Sequence, residues 1–227
     1  MSSPFSLFDY HKLAIPEDLV AECAQLFSNY YGVWAEEGHK PVHKVQLGPA
    51  RLTAQCLFDT DTCRVVIARH ITGELVGQAF YCSFMYKSLQ KKVVWITQLV
   101  VKEEFRGCHL ARKLLTLACE DKGLFACCLV SCHPYAVLAL ESALGKKCDL
   151  AMTALHAKAV VQDSKIAYTR DKAIEVSVGG SLKRSVVQTN YHVSHCDVDA
   201  RRAALPSWHL GPLHAGEEYL AMVFPGS

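Results

Sequence analysis

The stretch VVWITQLVVKEEFRGCHLARKLL, residues Val93 to Leu115, packs a strand, a turn and a helix together with almost nothing between them. Val93 to Val101 is rich in β-branched side chains and apolar at both alternate positions, as in a central strand buried on both faces. Beyond Arg106-Gly107, Leu110, Leu114, Leu117 and Ala118 recur at helical spacing, with Ala111 and Leu115 widening the stripe. Arg112, Lys113, Glu120 and Asp121 take the other side. A helix that starts this abruptly has first-turn N–H groups without intrahelical acceptors, around Gly107, Cys108 and His109. The helix dipole, Arg106 and the Arg112-Lys113 pair make that turn suited to an anion. The plainer reading of the same residues is an ordinary connection with a solvated basic face.

Working outward, PEDLVAECAQLF reads as a helix, with Pro16 at its start and Glu17 and Asp18 complementing the positive end. A loop with Gly38, His39, Pro41 and His43 leads to a weaker helix near Pro49 to Phe58. CRVVIAR (Cys63 to Arg69) and ELVGQAFYCSFMY (Glu74 to Tyr86) flank the turn ITGE as a β-hairpin. Downstream come a strand from Gly123 to Cys132 and a helix PYAVLALESALG, started by Pro134 and stopped by Gly145. Strand–helix–strand–helix order around a buried strand implies a mixed α/β sheet. After Lys147 the periodicity weakens. MTALHAKAVVQD reads as a helix, AIEVSV and SVVQTNYHV as strands, and EEYLAMVF as a last strand. The expected organisation is a core over residues 1–148 and a C-terminal extension, residues 149–227, packed on the same domain.

A formal charge of +2 is too small to advertise nucleic acid or an acidic membrane surface. Eleven cysteines are many, and odd in number. The start MSSPFSLFDYHKL lacks the basic and long apolar segments of a signal peptide, and no run reaches the ~18 apolar residues of a membrane span. Most of the cysteines are therefore expected to be small reduced core residues, with adjacent Cys127 and Cys128 facing opposite sides of a strand. A cytoplasmic protein is expected, a nuclear one not being excluded, and a homodimer is left open.

LVVKEEFRGCHLARKLL resembles the signature of the GNAT superfamily of N-acyltransferases: Arg or Gln, two residues, Gly, one residue, then Gly or Ala. Arg106 fills the first place and Ala111 the last, while His109 stands where the middle Gly is usual. WITQLVV before the turn and SCHPYAVLALESALG after it are similar to a fungal-type branch, over residues 16 to 148. The resemblance implies a GNAT-like, largely antiparallel twisted sheet flanked by helices. It implies that Arg106, Gly107, Cys108, His109, Leu110, Ala111 and Arg112 hold the pyrophosphate of acetyl-CoA, largely through backbone amides. The central strand and the next one would splay, with pantetheine lying along the backbone of Leu99, Val100 and Val101. An N–H near Leu99 or Val100 would meet the acyl oxygen, where negative charge develops during attack. The Cβ of His109 must point away from the phosphates, which would leave the imidazole beside them.

An acceptor amine of pKa about 10.4 is neutral in roughly one molecule in 2,500 at pH 7, so its proton needs a destination. Many relatives use a Glu on the central strand, but residues 91 to 101 contain no carboxylate. Gln98 and Thr97 remain, either orienting a water or simply satisfying a buried strand. The Tyr with which the family often protonates the departing thiolate would fall at Leu140 or Glu141, and is missing. Tyr135 has the right chemistry nearby. His133, at the strand-to-helix junction, reads either as a base titrating near neutrality or as a helix cap. Cys132 is a nucleophile only in principle. Tyr30, Tyr31 and Trp34 either close the first helix or border the acceptor pocket, and the tail with Trp208, His209 and Glu217-Glu218 is placed to cover it. HVSHCD, His192 to Asp197, offers four ligand types, but structural zinc takes four protein ligands and no second pair stands out, so no metal is expected.

The reading that follows is an acyl-CoA-dependent N-acyltransferase of EC 2.3.1 type. Its co-substrate is acetyl-CoA, and a small-molecule amine, or else a protein amine, attacks the thioester directly in a ternary complex. The competing reading is a non-catalytic acyl-CoA-binding sensor or scaffold.

Overall fold

A computed structural model describes residues 3–36, 40, 42–179, 183–194, 196–205 and 207–226, with 196–199 in backbone only. Eight strands form one sheet: β1 (Phe5–His11), β2 (Cys63–His70), β3 (Leu75–Tyr86), β4 (Lys91–Val101), β5 (Leu124–Ser131), β6 (Ile174–Ser177), β7 (Arg184–Gln188) and β8 (Glu217–Val223). Their order is β1-β2-β3-β4-β5-β8-β7-β6. Every neighbouring pair is antiparallel except β4 and β5. That one parallel pair follows from α3 (Leu110–Ala118), whose crossover brings the chain back to the same end. Among the described residues the other helices are α1 (Glu17–Tyr30), α2 (Pro49–Cys56), α4 (Pro134–Leu144) and α5 (Leu150–Asp163), which pack on the sheet with α3, and α6 (Cys196–Ala203), which packs on α4. No helix among the described residues is long and apolar enough to cross a membrane.

The period-2 alternation of β4 divides the apolar interior in two. Val93 and Trp95 join the core with α1, α2 and α5, whereas Val94 and Ile96 join the core with α3 and α4. Adjacent Cys128 and Cys127 divide in the same way. Leu110, Leu114 and Leu115 are fully buried under α3, each contributing about 1.5–3 kcal/mol. That close seat requires Gly77 on β3, where a Cβ would come within 3.1 Å of Leu114 Cδ1 and 3.3 Å of Leu110 Cδ2.

The chain past residue 149 contributes to the middle of the sheet. β8 lies between β5 and β7 and is buried along its whole length. β1 and α6 were not anticipated. β1 is an edge strand with no buried residue, and it is fixed by Asp9, which pairs with Arg64 at 2.6 Å and accepts a hydrogen bond from Tyr81. The strand expected over SVVQTNYHV ends at Gln188, where Asn190 takes a positive φ of 59°.

Candidate active site

β4 parts from β5 at one residue, while staying paired to β3. Opposite β3, Phe80 faces Gln98 and Tyr81 faces Ile96, so Thr97 is an extra residue, a β-bulge. Opposite β5, the parallel ladder ends at Ile96 and Leu129. A bulge bends and over-twists its strand, and here it peels Thr97 to Val101 away from β5, which continues beside β8 as far as Ser131. Leu99, Val100 and Val101 therefore lie on the free flank of an opening wedge, still paired to β3 on their other side.

At the wide end of the wedge is the Arg106–Arg112 turn. Gly107 has φ +77°, with nothing within 4 Å of where a side chain would start, so the backbone there is open to a ligand. His109 is the N-cap residue of α3 and adopts the left-handed conformation, φ 58°, ψ 17°. The helical ladder opens with Lys113 N–H donating to His109 O at 3.1 Å. The N–H groups of Leu110, Ala111 and Arg112 precede it and are those a helix leaves without internal acceptors. Leu110 itself is buried against the sheet, while Cys108 and Arg112 are exposed. Two of the basic residues are differently engaged from a free phosphate ligand. Arg106 donates from Nε to Val101 O at 3.2 Å and from Nη2 to Tyr30 O at 2.7 Å, bolting the end of α1 to the end of β4. Lys113 donates to Ser3 Oγ and lies over the Phe5 ring.

On the opposite face of the wedge lies a cavity of about 530 Å³, a size suited to a small molecule. Thr97 and Gln98 of β4 and Val130 of β5 line its base, and Tyr31, Trp34, Tyr168 and Tyr191 form its walls. Tyr31 stacks on Phe27 with centroids 4.3 Å apart, Trp34 meets Tyr191 edge-on at 4.9 Å, and the Tyr168 hydroxyl accepts a hydrogen bond from Trp95 Nε1. The aromatic cluster at the end of α1 thus serves both as core and as pocket wall. Tyr30 contributes its carbonyl to Arg106 instead.

The cavity contains one carboxylate that sequence reasoning had not assigned to chemistry. Glu218, 5% exposed, lines it from the start of β8, one residue beyond the Ser131–Tyr219 pair. Burial raises its carboxyl to about 7, against hydrogen bonds from Thr189 and the Cys132 backbone that pull it down. Its neighbour Glu217 is paired instead with Arg184 and accepts from His214 N–H at 2.6 Å. The one signal in the sequence was two acids opening an unbroken apolar strand.

The three proposed catalytic side chains are placed as follows. Gln98 is buried with its amide engaged, accepting from Gln78 Nε2 at 2.6 Å and donating to Cys56 Sγ at 3.8 Å, so it cannot also swing to hold a water without breaking that pair. His133 is the N-cap of α4, its Nδ1 accepting from Tyr135 N–H at 3.3 Å. Tyr135 is 44% exposed, beneath Arg201 at 5.9 Å. Neither His133 nor Tyr135 lines the cavity. Cys132 is held protonated, burial and the charge of Glu218 pushing its thiol up to about 12.

Glu141 occupies one of the two positions at which the family resemblance implies a Tyr, and it faces another cluster. Its carboxylate accepts from Lys147 Nζ and Cys148 N–H, both at 2.8 Å, and lies 3.1 Å from His209 Nε2. With the Cys148 thiol these groups lie within 4.8 Å of one another, as a metal site requires, yet both carboxylate oxygens are already engaged by protein donors. Trp208 packs edge-on against Tyr219, so of the tail residues considered only Glu218 lines the cavity. Gly38, His39, Pro41, His195 and the side chains of Cys196 and Asp197 lie outside the described residues.

Residues 21–133 match the model of the Acetyltransferase (GNAT) family. No curated protein matches the chain. Among solved structures, it is similar to a phosphinothricin acetyltransferase of Sinorhizobium meliloti in complex with AcCoA, with 18% identity over 63% of this chain and 75% of that one and a TM-score of 0.45. It is also similar to the diaminobutyrate acetyltransferase EctA of Paenibacillus lautus, in complex with L-2,4-diaminobutyric acid and coenzyme A, with 16% identity over 97% and 95% and a TM-score of 0.43. A glucosamine N-acetyltransferase region in a fungal multi-domain β-N-acetylglucosaminidase matches 57% of this chain at 15% identity, TM-score 0.44, and the chain spans 14% of that protein's length. That likeness is too distant to assign the narrower fungal-type branch. Through the domain at residues 21–133, built on a mixed, largely antiparallel sheet flanked by helices, the chain belongs to the GNAT family of acetyltransferases.

Proposed function

We propose that the chain transfers the acetyl group of acetyl-CoA to the amine of a small molecule, by direct attack within a ternary complex. Family membership makes it an acyl-CoA-dependent N-acyltransferase as a class. The observation that carries the finer reading is the wedge between β4 and β5, with an open helix-start turn on one face and a cavity lined by a buried carboxylate on the other. Leu110, Ala111 and Arg112 N–H groups would hold a pyrophosphate, Leu99 to Val101 would flank the pantetheine arm, and the thioester would reach the cavity at Thr97. Arg106 acts as a positioning residue, because it ties the phosphate turn to the helix that supplies Tyr31.

Glu218 supplies the proton acceptor missing from β4, which favours catalysis over a scaffold role. A carboxylate with a pKa raised towards that of the amine is a better general base than an ordinary one. The N–H proton passes to Glu218 as the amine nitrogen bonds to the carbonyl carbon. The carbon–sulfur bond then breaks and the sulfur leaves as thiolate.

The test is free-thiol release from acetyl-CoA with a panel of amines. Thiol release that depends on the amine is expected, and none across a broad panel defeats the proposal. Ala111→Glu is expected to raise KM for acetyl-CoA at least tenfold by putting negative charge at the phosphate turn; unchanged CoA affinity places the phosphates elsewhere. His109→Gly is expected to stabilise the fold by about 1 kcal/mol or less in urea denaturation, since it removes a side chain from a left-handed position at the cost of a more flexible unfolded chain. The same substitution lets a ligand approach the backbone more closely, so KM for acetyl-CoA should not rise.

A further inference from the structure

The cavity has an uneven charge inventory. Three cationic side chains line it, Arg51 from α2 and Lys165 and Lys172 from the segment after α5, against the single carboxylate Glu218. Lys165 lies 3.6 Å from Asp59, but Arg51 and Lys172 have no ion-pair partner among the described residues. A bare ammonium entering here meets more like charge than opposite charge. Like charges facing one another repel, so such an amine gains little from this side of the cavity.

The cations are on the wrong face to serve the phosphates of acetyl-CoA. Leu52 and Cys56 of α2, on the helix that carries Arg51, pack into the core with Trp95, whereas Leu110 and Leu114 of the phosphate-turn helix pack into the other core across the sheet. Their ligand therefore belongs to the acceptor. We infer that the acceptor is an amine that also carries an anionic group, a carboxylate or a phosphate, with Arg51 and Lys172 holding that group while Glu218 faces the amine. A guanidinium suits either anion, because its planar donors match two oxygens at once. The four aromatic walls would contact the apolar stem between the two ends. This inference rests on the acetyl-transfer reading for the amine's place at Glu218.

The experiment compares ω-amino acids of increasing length with the alkylamines of matching length, and with the matching aminoalkyl phosphates, as acceptors for acetyl-CoA. For at least one length, kcat/KM is expected to be tenfold or more higher for the acid-bearing amine than for its plain partner. Arg51→Gln is expected to bring that ratio down at least tenfold, and Lys172→Gln to reduce it less. Whether the carboxylate or the phosphate series shows the larger ratio identifies the anion. Plain amines used as well as their acids at every length, a ratio that survives Arg51→Gln, or acids that compete with acetyl-CoA rather than with amines would each overturn the inference. Transfer to amines without any acid preference sinks this inference and leaves acetyl transfer standing. If no amine is acetylated, melting temperature in the presence of CoA still decides between the two: a larger rise with the acids than with the amines, cancelled by Arg51→Gln, supports the anion site, and equal rises remove it.

Discussion

Glu218→Gln is expected to lower kcat by a factor of 10² to 10⁴, the usual contribution of a general base, while making the folded protein more stable above pH 7. The two effects have one cause. Glu218 is buried, and its carboxyl is raised from an ordinary 4.5 to about 7, chiefly by desolvation. Between those pH values the unfolded chain releases a proton that the folded protein retains. The stability associated with that proton is full below pH 4.5 and is lost as pH rises through about 7. At 1.36 kcal/mol per pKa unit the loss at pH 8 is about 3 kcal/mol. Gln keeps an acceptor oxygen for Cys132 N–H and the Thr189 hydroxyl but has no charge to desolvate. Urea midpoints of the two proteins should therefore agree near pH 4 and separate by the equivalent of about 3 kcal/mol by pH 8, with the variant the more stable. Unchanged turnover, or stability curves that stay parallel from pH 4 to 8, would remove Glu218 from the proton's path.

How much of this was readable beforehand depended on the range over which each feature is decided. α1, α3, α4 and β2 to β5 are set by local periodicity and by Pro and Gly at their ends, and each was placed within a few residues from the sequence. The Arg106–Arg112 turn was also legible, because strand, glycine and striped helix are contiguous. Glu218 was not, since its meaning comes from β8 pairing with β5, so that an acid distant in sequence arrives beside Cys132. Nor could sequence decide between the two uses of Gln98, which depended on Gln78 standing beside it on β3. Edge strand β1 was missed for a different reason: FSLFDYH alternates only weakly, and its polar residue Asp9 is satisfied by partners on β2 and β3. Short-range signals located the Arg106–Arg112 turn, and long-range pairing built the cavity that we propose takes the acceptor.

Glu141 shows the opposite coupling of charge to stability, and it yields a second large effect well away from chemistry. The side chain is 4% exposed, and burial alone would push its carboxyl up. Contacts from His209, Lys147 and Cys148 N–H outweigh burial and bring it to about 2. Ionised, Glu141 therefore holds together three pieces of chain: helix α4, the Lys147-Cys148 turn that leads into α5, and the C-terminal segment with His209. Here the folded state releases its proton more readily than the unfolded chain. The resulting stability is present above pH 4.5 and is lost as pH falls through about 2. Glu141→Gln should therefore cost about 3 kcal/mol at pH 7, with the gap to the parent closing between pH 5 and 2. Glu141→Ala should cost more at neutral pH and retain a deficit in acid, because the buried Cys148 N–H then loses its acceptor at any pH. Turnover per folded molecule should be unaltered in both, since Glu141 does not line the cavity. A fall in kcat at full folding would instead return this position to the thiolate-protonating role that the family gives to a Tyr, and a pH-independent deficit in the Gln variant would show that packing, not charge, is what Glu141 contributes.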